Sequence, residues 1–173
     1  PIPYIPTTDA QVTRGSVECD VPIDGINPSQ GYLYFDGAIN ESETGGLDIF
    51  GFGDTGLTTD SITLRSSGSG GVDFLNASGG TIHIDSPSTQ ITLGERHKIL
   101  LVYYGTTLKG FIDGVKVYEN TTDFVPPTAV SASEILGRWD AGAATHNGTC
   151  RLAMRGNYVP TDEESLAVTT LEQ

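Results

Sequence analysis

The chain has 173 residues, the size of one domain, with enough length to bury a substantial core. Its formal net charge of −13 sets nine Lys and Arg against 22 Asp and Glu, a balance that repels phosphate backbones and anionic lipid and excludes nucleic acid and membrane surfaces as partners. The 22 Gly and nine Pro interrupt any long helix and indicate an all-β chain.

Three Pro in the first six positions remove backbone donors, so residues 1–14 are expected to form an extended arm lying along a surface. Residues 15–173 are expected to form a single domain. No apolar run reaches the roughly 18 residues needed to cross a bilayer, and "PIPYIPTTDA" has neither the basic start nor the apolar core of a secretion signal. In "GSVECDVPI", Val17, Cys19 and Val21 alternate with Glu18 and Asp20, as in a half-buried strand. After the turn "DGINPSQG" comes the strand "YLYFDGAIN". Then "LDIFGFGD", "SITLRSSG", "VDFLNASG" and "TIHID" follow between Gly, Ser and Asn clusters, about one strand per ten residues, the spacing of a sandwich or barrel.

The stretch "RHKILLVYYGTTLKGFIDGVKVYEN" divides into three strands, joined by a "GTT" turn and a two-residue hairpin at Asp113-Gly114. That hairpin is a type I′ turn, which needs positive φ at both central positions. Ile99, Leu101 and Tyr103 share one face of "KILLVYY", while Leu100, Val102 and Tyr104 share the other and are joined by Phe111. A strand apolar on both faces is covered on both. The second set is therefore a candidate subunit or ligand face, covered by the arm, by a sister subunit or by a ligand. Self-cover or subunit contact is expected, since a glycan groove mixes aromatic plates with polar groups. "ASEILGRW" and "GTCRLAMRGNYV" supply the last strands, and Thr161 three residues before Glu164 predicts a capping box on a terminal helix of one or two turns.

The succession of His97, the Tyr-x-Gly turn, Asp113-Gly114, Leu136-Gly137, Asn147-Gly148 and "PTDEE" resembles the laminin-G-like jelly roll of the concanavalin A-like lectin and glucanase superfamily. The opening "YIPTTDAQVTRGSVE" is similar to the lead-in of such domains in tailed-bacteriophage structural proteins. The resemblance implies two antiparallel sheets packed face to face, with first and last strands neighbouring in one of them. It also implies a binding or adhesive role on a virion or outside the cell, at a tail fibre or capsid appendage. The partners it implies are host-surface glycans and other virion proteins, with a homo-oligomer expected.

If the strands at 16–22 and 149–155 are neighbours, their parity places Cys19 and Cys150 on the inner face. There they form either a disulfide, worth roughly 4–5 kcal/mol for so long a loop, or two buried thiols acting as small hydrophobes. Trp139 stands in the small-residue loop "GRWDAGAATHNG", where its indole offers a plate to a sugar ring, with Arg138, Asp140, His146 and Asn147 as hydrogen-bonding neighbours. The alternative is that the indole plugs the sandwich edge. Acidic loops at "NESETGGLD", "DTGLTTD" and "DSPST" could hold calcium or simply be solvated, and no EF-hand spacing is present. No other cofactor is expected. His83, His97 and His146 form no zinc pair, and His97 reads as structural. Asn-x-Ser/Thr occurs at Asn40, Asn76, Asn120 and Asn147, a pattern that Asn-, Ser- and Thr-rich sequence produces by chance.

Catalysis is not expected. A retaining glycosidase needs two carboxylates about 5–5.5 Å apart, and no strand carries Glu-x-Asp-x-x-Glu. A G-x-S-x-G elbow is absent as well. The leading reading is a non-catalytic adhesion or carbohydrate-binding module. The alternatives are an architectural decoration or fibre domain and, third, a depolymerase whose acids converge from separate strands.

Overall fold

The computed structural model describes residues 19–20, 23–40, 47–54, 59–67, 70–137 and 148–171. The short alternating segments form strands as expected: β1 (Cys19–Asp20), β2 (Gln30–Ile39), β3 (Leu47–Gly53), β4 (Ser61–Ser67), β5 (Gly71–Ser78) and β6 (Thr81–Asp85). They are followed by β7 (Thr89–Gln90), β8 (Arg96–Tyr104), β9 (Thr107–Ile112), β10 (Val115–Asn120), β11 (Ala132–Gly137), β12 (Gly148–Gly156) and one helix, α1 (Asp162–Thr169). All strand pairs are antiparallel. One sheet runs β1-β11-β3-β4-β5-β6, with β7 also on β5, and the other runs β10-β9-β8-β2-β12. This is the expected two-sheet sandwich with a short C-terminal helix.

The interior lies between the sheets. Leu33 and Phe35 of β2 and Ile99, Leu101 and Tyr103 of β8 meet Phe50, Phe52, Ile62, Leu64 and Phe74 of the facing sheet, all nearly or fully buried. Each such side chain contributes about 1.5–3 kcal/mol by leaving water, which makes this layer the main source of stability. The sheets approach closely enough that a Cβ on Gly110 would run into the Phe74 ring.

Local chemistry agrees with the sequence at both ends of the 96–120 stretch and at the helix. Asp113 and Gly114 have φ of 49° and 79°, the positive pair that the hairpin requires. His97 is structural, as expected. Its Nδ1 lies 2.6 Å from Asp113 Oδ2 and its Nε2 2.9 Å from the Thr92 carbonyl, tying the hairpin to the preceding turn. At α1, the Thr161 hydroxyl accepts from Glu164 N and the Glu164 carboxylate accepts from Thr161 N, a complete capping box.

The pairing of the last strand differs from expectation. β12 pairs with β2, whereas Cys19 in β1 pairs opposite Ile135 of β11 in the other sheet. A bulge between Cys150 and Leu152 then shifts the parity of β12. Ala153 packs against the core, while Leu152 and Met154 stand opposite Asp36 and Tyr34 and are exposed, as is the Cys150 side chain. The strands carrying Cys19 and Cys150 are therefore not paired neighbours. An unpaired extra residue in one strand is enough to undo a parity argument that assumes strict alternation.

Candidate functional site

The outer face of the five-stranded sheet is where side chains of different character converge. Antiparallel register places them in rows across the strands. Met154, Tyr34, Leu100 and Phe111 form one row over β12, β2, β8 and β9, and Leu152, Asp36 and Lys98 form the next toward the Arg96 end. On the other side of the Tyr34 row, Tyr32 lies opposite Val102 and Gly156, and a Cβ on Gly156 would come within 2.7 Å of the Tyr32 ring.

The C-terminal segment closes half of this face. Val159 and Leu166 pack on Leu100, Val102, Phe111 and Tyr34, which are almost wholly buried, with Tyr32 and Tyr104 at the margin. Leu100, Val102 and Phe111, with Tyr104 at the margin, are covered by α1 and the segment leading into it, while the arm expected to supply self-cover lies outside the described residues. Polar clasps hold the helix down. Asp162 receives Lys109 Nζ at 2.6 Å and Lys116 Nζ at 3.0 Å, Lys98 Nζ donates to the Thr170 carbonyl at 2.8 Å, and Gly114 N donates to Thr169 Oγ1 at 3.2 Å. The hydrogen bond to Asp162 raises the Lys109 ammonium pKa, and Lys109 and Lys116 together hold the Asp162 carboxyl below its usual range.

The other half stays open as a groove of about 190 Å³ between α1 and β12. Tyr32, Tyr34, Leu100 and Met154 make its floor, and Tyr158, Pro160, Glu164 and Val168 its wall. Tyr158 is 60 % exposed, and its hydroxyl lies 2.8 Å and 2.9 Å from the two Glu164 oxygens. The Thr161 backbone N–H, together with that phenol, holds the Glu164 carboxyl below its ordinary range, while the same carboxylate raises the Tyr158 phenol. The site thus presents a half-free aromatic ring, the buried Tyr34 and half-buried Tyr32 rings beneath it and one ionised acceptor at the rim. Further along the face, Arg96 grips Asp36 through two hydrogen bonds of 2.6 Å and pulls that carboxyl down.

A second hollow of about 190 Å³ opens at the sandwich rim beside Phe52, Tyr103 and Arg155. Asn157 organises it. Its Oδ1 accepts from Asn27 N at 3.0 Å and its Nδ2 donates to the Gly25 carbonyl at 2.8 Å, while the Tyr103 hydroxyl donates to the Asn27 carbonyl at 3.1 Å. Burial lowers the Arg155 guanidinium pKa and raises the Tyr103 phenol. The side chains there serve mainly to seal the loop at 24–27 to the end of β12.

Trp139, Arg138, Asp140, His146 and Asn147 lie outside the described residues, as do the arm at 1–14 and most of the acidic loops at 41–46 and 55–58. Two acids of the three acidic segments are engaged in protein contacts. Asp60 accepts from Thr128 N at 2.6 Å and from Gly79 N at 3.3 Å, and Asp85 pairs with Arg65 at 2.6 Å. Among the described residues no group of three or more His, Cys, Asp or Glu side chains is placed to hold a metal. Asn76 is fully buried, with its amide bound to the Ser61 and Val125 carbonyls, and Asn120 caps a turn through Thr122 N and Asp123 N. Tyr34, Met154, Tyr158 and Glu164 were not anticipated as a site. The only sequence signals for them are the Tyr-x-Tyr spacing at 32–34 and the capping box.

No family model matches the chain, and no curated protein matches its sequence. Among solved structures it is similar to the CBM40 domain of the Ruminococcus gnavus IT-sialidase bound to α2,3 sialyllactose, with a TM-score of 0.70 at 17% identity over 83% of each chain. It is also similar to the NanB sialidase from Streptococcus pneumoniae (TM-score 0.70, 13% identity, 84% of this chain and 24% of that one). A leech intramolecular trans-sialidase complexed with 2,7-anhydro-Neu5Ac gives a TM-score of 0.70 at 19% identity over 84% and 24%. The chain spans about a quarter of these whole sialidases but most of the separate CBM40 domain. These likenesses bear out the jelly-roll sandwich.

Proposed function

We propose that this chain is a non-catalytic carbohydrate-binding module whose sugar site is the groove between α1 and β12. The observation that carries the reading is the pairing of an exposed Tyr158 ring with the Glu164 carboxylate, above a floor of Tyr32, Tyr34 and Met154, in a hollow the size of a single sugar ring. Aromatic faces take up the apolar C–H side of a pyranose, and a fixed acceptor orients its hydroxyls. The R. gnavus domain, of the same fold, is bound to sialyllactose, which supports a glycan as the class of ligand. Trp139, Arg138, Asp140, His146 and Asn147, which lie outside the described residues, are proposed as further sugar contacts.

The lead-in at residues 4–18 supports the finer reading that the module is displayed on a bacteriophage particle, at a tail fibre or capsid appendage, where weak sites gain from repetition. The test is a glycan array followed by titration calorimetry on the full chain. Tyr158→Ala is expected to weaken the best ligand tenfold or more. Unchanged affinity in that variant moves the site elsewhere, and an array with no bound glycan ends the reading. Exposed Leu152, Met154 and Val168 beside the groove favour, as the second reading, an architectural contact with neighbouring viral subunits. In that case the chain self-associates in sedimentation and Met154→Lys disperses it.

A further inference from the structure

We infer that the sugar held in this groove is electroneutral, and that a glycan ending in a carboxylate-bearing sugar such as sialic acid is disfavoured there. The inference rests on the glycan-binding reading and specifies its ligand class.

An acidic sugar needs a cation or a set of donors with capacity to spare at the point where its carboxylate lands. Among the described residues no Lys or Arg lines the groove, and four cations of this face are paired elsewhere. Arg96 spends its fork on Asp36, with both bonds at 2.6 Å. Lys98 donates to the Thr170 carbonyl, and Lys109 and Lys116 are shared between Asp162 and Glu119. Arg151, at the bulge of β12, is exposed and does not line the groove. The rim guanidinium of Arg155 opens into the other hollow.

What faces the groove instead is a carboxylate. Glu164 is kept ionised by the Thr161 N–H and the Tyr158 hydroxyl, and it stands in the groove wall. It can accept hydrogen bonds from sugar hydroxyls, which a neutral hexose offers in adjacent pairs. A second carboxylate would meet it as a like charge, inside a molecule whose net charge is already −13.

The experiment presents the full chain with an array of neutral glycans and their sialylated counterparts, then titrates lactose and 3′-sialyllactose in low salt. The expected result is binding to neutral members, with about tenfold weaker binding of each sialylated counterpart and a gap that shrinks as salt rises. Glu164→Gln narrows the ratio to within about threefold, because Gln keeps the capping box while removing the charge. Equal or tighter binding of the sialylated members overturns the inference and leaves the glycan reading intact. Binding of neither class overturns both.

Discussion

The two faces of the five-stranded sheet are built by the same strands but sealed by different means. Inward, Leu101 of β8 is fully buried in a continuous apolar layer against a whole second sheet. Outward, its neighbour Leu100 is almost as buried, yet what covers it is an eight-residue helix and the segment before it, contributing Val159 and Leu166 and held by charged clasps. An extensive cover seals a face completely. A small one leaves an edge where Tyr32 and Met154 stay partly accessible, and here that edge is the groove. Equal burial of adjacent residues can therefore hide unequal rigidity.

The strongest way to break this comparison is to truncate the two leucines. Leu101→Ala is expected to cost about 3–5 kcal/mol, because the packed layer cannot collapse around the cavity, and Leu100→Ala about 2 kcal/mol, because α1 can settle inward. Denaturant unfolding of both variants decides it, and equal losses would mean that the helix is as rigid a cover as the sheet. A smaller effect is expected at the cap. Thr161→Ala should cost about 1 kcal/mol, with faster amide exchange confined to α1 and the Gly114 hairpin. Exchange spread evenly over the sandwich would instead make the helix part of the main cooperative unit.

The smallest effect is that of acid. Asp162, lowered first by its hydrogen bond to Lys109, and Asp36, lowered by Arg96, have folded-state pKa values below those of the unfolded chain. Their contribution is fully present above the usual carboxylate range and is lost as pH falls through the depressed values, so α1 should loosen below about pH 4 before the core melts. Amide exchange of α1 followed against pH checks this, and a helix that stays protected until global unfolding would contradict it.

Much of the fold was legible in the chain because its signals are local. Runs of aromatic and β-branched residues between turn clusters mark β2 and β8, the Asp113-Gly114 pair marks a turn that few other sequences can make, and Thr161 with Glu164 marks the helix start. The two-faced apolar pattern of residues 99–104 also announced that something covers the outer side. It did not say what, since an arm, a sister subunit and a terminal helix all supply the same apolar surface. The site was less legible. Tyr34, Met154 and Tyr158 read as ordinary strand residues until register aligned them, and the residues singled out around Trp139 lie outside the described region.

The sequence by itself determined the elements and the class of sandwich, because turn chemistry and alternation act over ten residues or fewer. Which strand lies beside which was decided only in three dimensions. The bulge at Cys150–Leu152 turned β12 over, the pairing of β1 with β11 set Cys19 in the other sheet, and α1 docked on one half of a face and left the other open. Those outcomes depend on competition among distant apolar surfaces for the same cover, a quantity that no single stretch of chain contains.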